Sequence, residues 1–179
     1  MRVYLPATLP VLAQAHGCGG FEAGHAAHSV TAAIREWYVA GDVEELEYAA
    51  FTEAGQASLH LLAAEPGYDT EPRLRAHYEN RRVVVAADVE PGALLPGAAS
   101  GADVAWRSAV RLAVPVPLAA WASVHLDAAD DAAARAAVAA ALQALPAALA
   151  GDEDAQFALD EAEAHELAWY DLTELADLL

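Results

Sequence analysis

No lysine occurs in this sequence of 179 residues; the nine basic residues are all arginine. Against 27 Asp and Glu they leave a formal net charge of −18 with histidine neutral. A field of that sign repels nucleic-acid phosphates and anionic lipid, so neither nucleic acid nor membrane is expected as a partner. Cysteine is almost missing too. Cys18 stands alone, which excludes an internal disulfide and fits a reducing compartment. There is no run of eighteen clean apolar residues, so no membrane span is expected. The first fifteen residues offer an A-x-A pattern, Ala13-Gln14-Ala15, but Pro6 and Pro10 break its apolar part, so a leader is not expected. The chain is therefore expected to be cytoplasmic. Walker loop, GxSxG, HExxH and CxxC are all missing. The glycines of Gly17–Gly20 follow a short helix rather than a strand, so they make no dinucleotide fingerprint.

What is present points to one domain, 1–179, with a substantial core. Apolar residues make up 56% of the chain, but alanine dominates them and each alanine buries little area. Alanine-rich, arginine-only composition is the imprint of a GC-rich genome before it is a physical signal. Charge is uneven: from Asp127 onward only Arg135 opposes a run of acids. The plainer reading is a solvated acidic face that keeps an alanine-rich protein soluble.

Taken in order, Arg2–Leu5 alternates and reads as a strand. Thr8 caps a short helix with Pro10 in its first turn. His16–His28 is Gly-rich and reads as a loop. Thr31–Tyr38 is helical, and Asp42 with Glu45 forms a capping box for a helix that runs to Ala64. Tyr68–Asn80 is polar and irregular. Arg82–Ala87 is an apolar run suited to a central strand. Glu90–Asp103 reads as a surface loop. Ser108–Val114 and Trp121–Leu126 alternate as strands. Asp130 or Asp131 caps a helix over Ala132–Leu145 that Pro146 closes. Asp152 caps one continuous amphipathic helix to Leu179, with Ala158, Ala162, His165, Trp169 and Leu172 along its stripe.

The order β-α-α-α-β-β-β-α-α predicts an α+β fold, with helices packed on one face of a four-stranded, mainly antiparallel sheet. The plan is loosely ferredoxin-like. The link from the first strand to the second has room for a parallel, right-handed crossover. An approximate strand-helix-helix repeat relates 2–64 to 122–179, with Ala40-Gly41-Asp42 matching Ala150-Gly151-Asp152.

Four groups of residues carry candidate chemistry. Glu161 and His165 lie one helical turn apart and are set to face Glu47, Glu53, Gln56 and His60 on the matching helix, as in metal sites of bundles. The usual Glu-x-x-His spacing is missing there, so a hydrogen-bonded core histidine beside Trp169 is preferred. His16, Cys18, His25 and His28 supply four zinc-type ligands, but in an unfamiliar spacing. Arg35, Trp37 and Tyr38, echoed by Trp169 and Tyr170, suit a pocket for a flat ligand or, more simply, helix anchors. Arg73, Arg75, Arg81 and Arg82 read as a counterweight to the acidic helices.

The strings RVYLPATLP, REWYVAGDVEELEYAA, RRVVVAADV, VPLAAWASVHLD and GDEDAQFALDEAEAHELAWYDLTEL resemble those of a family of small, acidic, uncharacterised proteins from actinobacteria, a domain of unknown function. The resemblance covers nearly the whole chain. It implies a single-domain cytosolic protein and supplies no catalytic residues. The matching strings omit the loop from His16 to His28, which counts against a zinc loop. The expected function is a cytosolic binding or protein-interaction domain using the aromatic-bearing acidic helices, with Arg35, Trp37, Tyr38, Trp169 and Tyr170 as contact residues. The partner is an unknown protein or a second copy of the chain. The alternative is a metal-dependent enzyme with Glu161, His165 and Glu47 between the two GD-headed helices. No cofactor is predicted.

Overall fold

The computed structural model describes residues 1–38, 41–65, 80–96 and 106–179. The expected irregular stretch up to residue 79, Arg73 and Arg75 within it, and the second half of the expected loop at 90–103 lie outside the described residues. In chain order the elements are β1 (Arg2–Ala7), α1 (Leu9–Cys18), β2 (Gly20–Phe21), β3 (Ala26–His28), α2 (Ala32–Trp37), α3 (Val43–Ala64), β4 (Val83–Asp88), β5 (Leu94–Pro96), β6 (Ala109–Leu112), β7 (Val116–Pro117), β8 (Trp121–Leu126), α4 (Ala132–Leu149), α5 (Glu153–Glu163), β9 (Ala168–Tyr170) and α6 (Leu175–Leu178). The fold is α+β, as expected, but the main sheet has seven strands, not four, in the order β5-β6-β3-β1-β4-β8-β9. All its pairings are antiparallel. The expected parallel crossover is therefore replaced by β1 running antiparallel to β4. The loosely ferredoxin-like plan gives way to this wider sheet.

The strands that went unforeseen are two or three residues long and carry no periodicity of their own. β3 lies inside the Gly-rich segment. β2 pairs with β7 in a separate two-stranded ribbon. A Cβ at Gly20 would lie 2.2 Å from the Val116 carbonyl oxygen, so only glycine permits that approach.

Helices cover both faces of the sheet, not one. On the first face Val3, Leu5, Val83, Val85, Val124 and Leu126 pack against Leu12 of α1, Phe21 and Leu175 of α6. On the second, Tyr4, Val84 and Ala86 pack against Ile34 of α2 and Leu46, Ala50 and Ala54 of α3. The alternation along β1 and β4 follows from the two-residue period of a strand. Burying each Val or Leu contributes about 1.5–3 kcal/mol, so β1 and β4, apolar but for Tyr4 and the end pair Arg2 and Asp88, anchor the domain. Ser58 of α3 fixes its height over the sheet. Its hydroxyl donates to the Ala7 carbonyl (2.7 Å) and accepts from the Val83 N–H (2.8 Å). A third cluster joins Leu59 and Leu62 of α3 to Val138, Ala141 and Leu142 of α4 and Ala162 of α5.

The helix starts follow their caps. Thr8, Thr31, Asp42, Asp131 and Asp152 each accept from a first-turn N–H. Pro146 does not close α4; the helix continues through it to Leu149. At 18 residues α4 is long and apolar enough to cross a membrane by length and composition, contrary to the sequence expectation. Here Val138, Ala141, Leu142 and Leu145 of α4 are buried.

The single closing helix expected from 152 to 179 does not form. α5 stops at Glu163, the chain turns, and 168–170 adds to the sheet edge. Two non-local demands override the helical pattern. β8 needs a partner for its outer backbone groups, and the Arg82 guanidinium donates to the His165 carbonyl (2.7 Å), which a continuing helix would have used.

Candidate functional site

α3 packs over β3, β1 and β4. It reaches β8 only at its flank, where the Phe51 ring meets His125 edge-on at 4.9 Å. The second face of β8 and β9 is left as the floor of a groove. α3 forms one wall; the end of α5 and the turn after it form the other. One chamber is about 570 Å³, between Tyr48, Phe51 and Gln56 on one side and Asp160, Glu163 and His165 on the other, and a wider, shallower space of about 1300 Å³ runs from Tyr48 and Gln56 to Trp37 and Trp106. A second chamber of about 430 Å³ continues from Tyr48, Phe51 and His125 toward Tyr4, Glu44, Glu47 and Trp169.

The turn from α5 into β9 is held by a buried ion pair. Asp127 is fully buried; its carboxylate accepts from the Arg82 guanidinium at 2.6 and 3.0 Å and from the Arg82 backbone N–H at 2.7 Å. Arg82 Nη2, which donates to Asp127 Oδ1, also donates to the His165 carbonyl. Glu163 accepts from the Gln56 amide, and the Gln56 carbonyl accepts from Trp106 Nε1 at 3.2 Å, so α5, α3 and the segment before β6 are tied across the groove.

The groove is lined by aromatic rings and rimmed by acids. Tyr48 is 63% exposed and Trp169 59% exposed. Trp169 pairs directly with His125 across β8–β9, so both rings stand on the groove side. Glu44, Glu47, Asp160, Glu163 and Glu166 line it. Among the described residues Arg82 and Arg2 line these two chambers and are already engaged, Arg82 with Asp127, and Arg2 with Asp88 at 3.0 and 3.1 Å, while Arg107 lies farther along α3, stacked on Trp37. Burial pushes His125 down to about 4, with the charge of Arg2 adding to the effect. It is neutral at pH 7 and offers no compensating charge. Tyr4 is pushed up to about 12, by burial first and by Glu47 second.

Ser123 Oγ and His125 Nε2 are 2.9 Å apart on the groove floor. The pair has the elements of a nucleophile and a base, but Ser123 is buried and no described carboxylate orients His125 through Nδ1. A second buried relay runs from His28 Nδ1 to Ser108 Oγ (2.7 Å) and on to the Glu53 carboxylate (2.5 Å). The Ser108 hydroxyl donates to the carboxylate, so it accepts from His28, which as a neutral ring donates from Nδ1. Burial pushes His28 down to about 4. This relay joins β3 and the start of β6 to α3, and it lies in the interior.

The residues singled out from sequence are scattered. Glu161 is exposed on α5, His165 lies in the turn after it and lines the first chamber, and Glu47 lines the second chamber, so the three do not converge. His16 and Cys18 are exposed at the end of α1. His25 hydrogen-bonds the Pro6 carbonyl at 3.0 Å and His28 is engaged by Ser108. Among the described residues no three His, Cys, Asp or Glu side chains gather as metal ligands. Trp37 and Tyr38 are exposed at the end of α2, and the arginine stacked on Trp37 is Arg107, at 3.7 Å, not Arg35. Trp169 and Tyr170 separate. In a strand they point to opposite faces, Trp169 into the groove and Tyr170 onto the first-face core. Tyr48, Phe51 and His125 were not singled out. The signal for the first two was a pair of rings three residues apart on α3, beside the Leu46–Ala50–Ala54 stripe.

A family model described as a family of unknown function, DUF6912, matches residues 1–179. No curated protein and no solved structure matches the chain.

Proposed function

The chain belongs to that family of unknown function, and from this premise, which names no activity, we propose that it is a binding protein that takes a basic segment of a partner protein into the groove between α3 and β8–β9. The observation that carries this reading is the groove's pairing of exposed rings, Tyr48 and Trp169, with five acids, against two lining arginines, Arg2 and Arg82, that are each already paired with an aspartate. Aromatic side chains supply contact area at low entropic cost. The acids select guanidinium and ammonium groups and speed their approach. A second copy of the chain carries the same −18 and is repelled, so the occupant is a foreign, cationic segment.

Calorimetric titration with a hexa-arginine peptide tests the reading. Saturable one-to-one binding is expected. It should weaken about tenfold, or 1.4 kcal/mol, in Tyr48→Ala and in the Asp160→Asn/Glu163→Gln double variant. Asp177→Asn/Glu22→Gln removes the same charge from exposed positions on other elements and should bind as the parent does. Equal weakening by both double variants would reduce the effect to net charge and overturn the proposal.

A further inference from the structure

The second chamber has a sharper chemistry than the groove as a whole. Tyr4 meets Phe51 edge-on, with centroids 5.5 Å apart and planes at 71°. Tyr48 leans on Phe51 at 6.4 Å and 35°. Trp169 lines the same space from β9, beside His125. Glu44 and Glu47 line the same space from the first two turns of α3. The rings of Tyr4, Phe51 and Tyr48 are set at differing angles and line one cavity with Trp169, and the face of an aromatic ring is negative.

An anion is excluded by Glu44 and Glu47. A purely apolar ligand gains nothing from those carboxylates, whose desolvation it would have to offset. An unmodified ammonium is strongly hydrated, and ring faces do not replace its hydrogen bonds. A quaternary ammonium has no N–H to satisfy, sheds its water at little cost, and is attracted both by ring faces and by nearby carboxylates. The arginine at the rim does not oppose it, because Arg2 is held bidentate by Asp88.

We propose that Tyr4, Tyr48, Phe51 and Trp169, with Glu44 and Glu47, form an aromatic cage for a quaternary ammonium group. The inference rests on the groove as the binding surface for its source, a trimethylated side chain on the partner segment. The cage itself is tested independently with small molecules.

The probe is choline against 3,3-dimethylbutan-1-ol, which has the same shape and no charge, both read by ligand-observed NMR of their methyl signals on the full chain. Choline should bind saturably, with a dissociation constant on the order of 1 mM. The neutral alcohol should bind about tenfold more weakly, as should choline to Trp169→Ala and Glu47→Gln. Trp169→Phe, which keeps a ring, should recover most of the loss. Trp169 is exposed, so its replacement spares the core. Equal binding of choline and the alcohol would make the chamber merely apolar and overturn the cage, as would unsaturable choline signals. A peptide with one trimethyllysine that binds more tightly than choline places the group on a partner chain; tighter choline binding places it on a free small molecule, and either outcome retains the cage. Loss of hexa-arginine binding with choline binding intact would overturn the groove reading alone.

Discussion

Asp127 is the residue on which the most interactions of the site converge. Its carboxylate is fully buried and is the counter-charge for a guanidinium that is itself nearly buried. Two charges out of water are tolerated only as a pair; remove one and the other is stranded. Asp127→Asn keeps the shape and removes the charge. It should cost about 3–5 kcal/mol in urea-induced unfolding. The Arg2–Asp88 pair is the internal comparison. It has similar geometry, but both side chains are well exposed, so Arg2→Ala should cost less than about 1 kcal/mol. Similar losses from the two variants would show that burial is not what makes the Arg82–Asp127 pair matter. The sequence marked Arg82 as an ion-pairing residue but directed it to the acidic helices. It turns instead to the one acid at the end of β8, a choice set by strand order that no local pattern encodes.

At the scale of elements, helix starts were legible and short strands were not. A cap is a contract between neighbours: Asp42 accepts from the Glu45 N–H and the Glu45 side chain accepts from the Asp42 N–H. Nothing distant is needed to read it. β9 depends on β8, forty-odd positions earlier, and its Leu167-Ala168-Trp169-Tyr170 fits a helix as well as a strand until a neighbour decides. The candidate site inherited that limit. Reading the end of the chain as helix put Trp169 and Tyr170 side by side as anchors and hid the groove that their separation creates. Pro146 misled in the opposite direction. As a helix breaker it predicts a stop, yet α4 passes through it, giving up one backbone hydrogen bond near its last turn. Its side chain is exposed, so Pro146→Ala should restore that bond and raise stability by about 1–3 kcal/mol, seen as a higher urea midpoint. The gain is set against the flexibility that alanine returns to the unfolded chain. An unchanged or lower midpoint would mean the proline fixes the α4–α5 turn. That turn ends at Gly151, whose φ of 92° favours glycine.

For the whole molecule, two electrostatic effects act together as pH falls from neutrality, and their signs decide the outcome. The charge of −18 strains the folded state by self-repulsion, but ordinary carboxylates stay ionised until pH approaches 4, so little of that strain is relieved above pH 5. The histidines act earlier. Burial holds His28 and His125 at about 4 in the folded state, against 6.5 when unfolded, and lowers His25 and His60 in the same direction. Between those values the unfolded chain binds protons that the folded chain refuses, so stability falls as pH falls. The contribution is fully present above about pH 6.5 and is lost progressively down to about pH 4. His28, locked against Ser108 in the interior, should account for on the order of 2 kcal/mol of loss between pH 7.5 and pH 5. Urea unfolding at both pH values, compared between the parent and His28→Asn, separates this from any general weakening. The variant is expected to start less stable, because it perturbs a buried hydrogen bond, but to lose less on acidification. The slope carries the argument, not the level. Matching slopes would mean that His28 binds its proton equally well in the folded and unfolded protein, and would overturn the assignment.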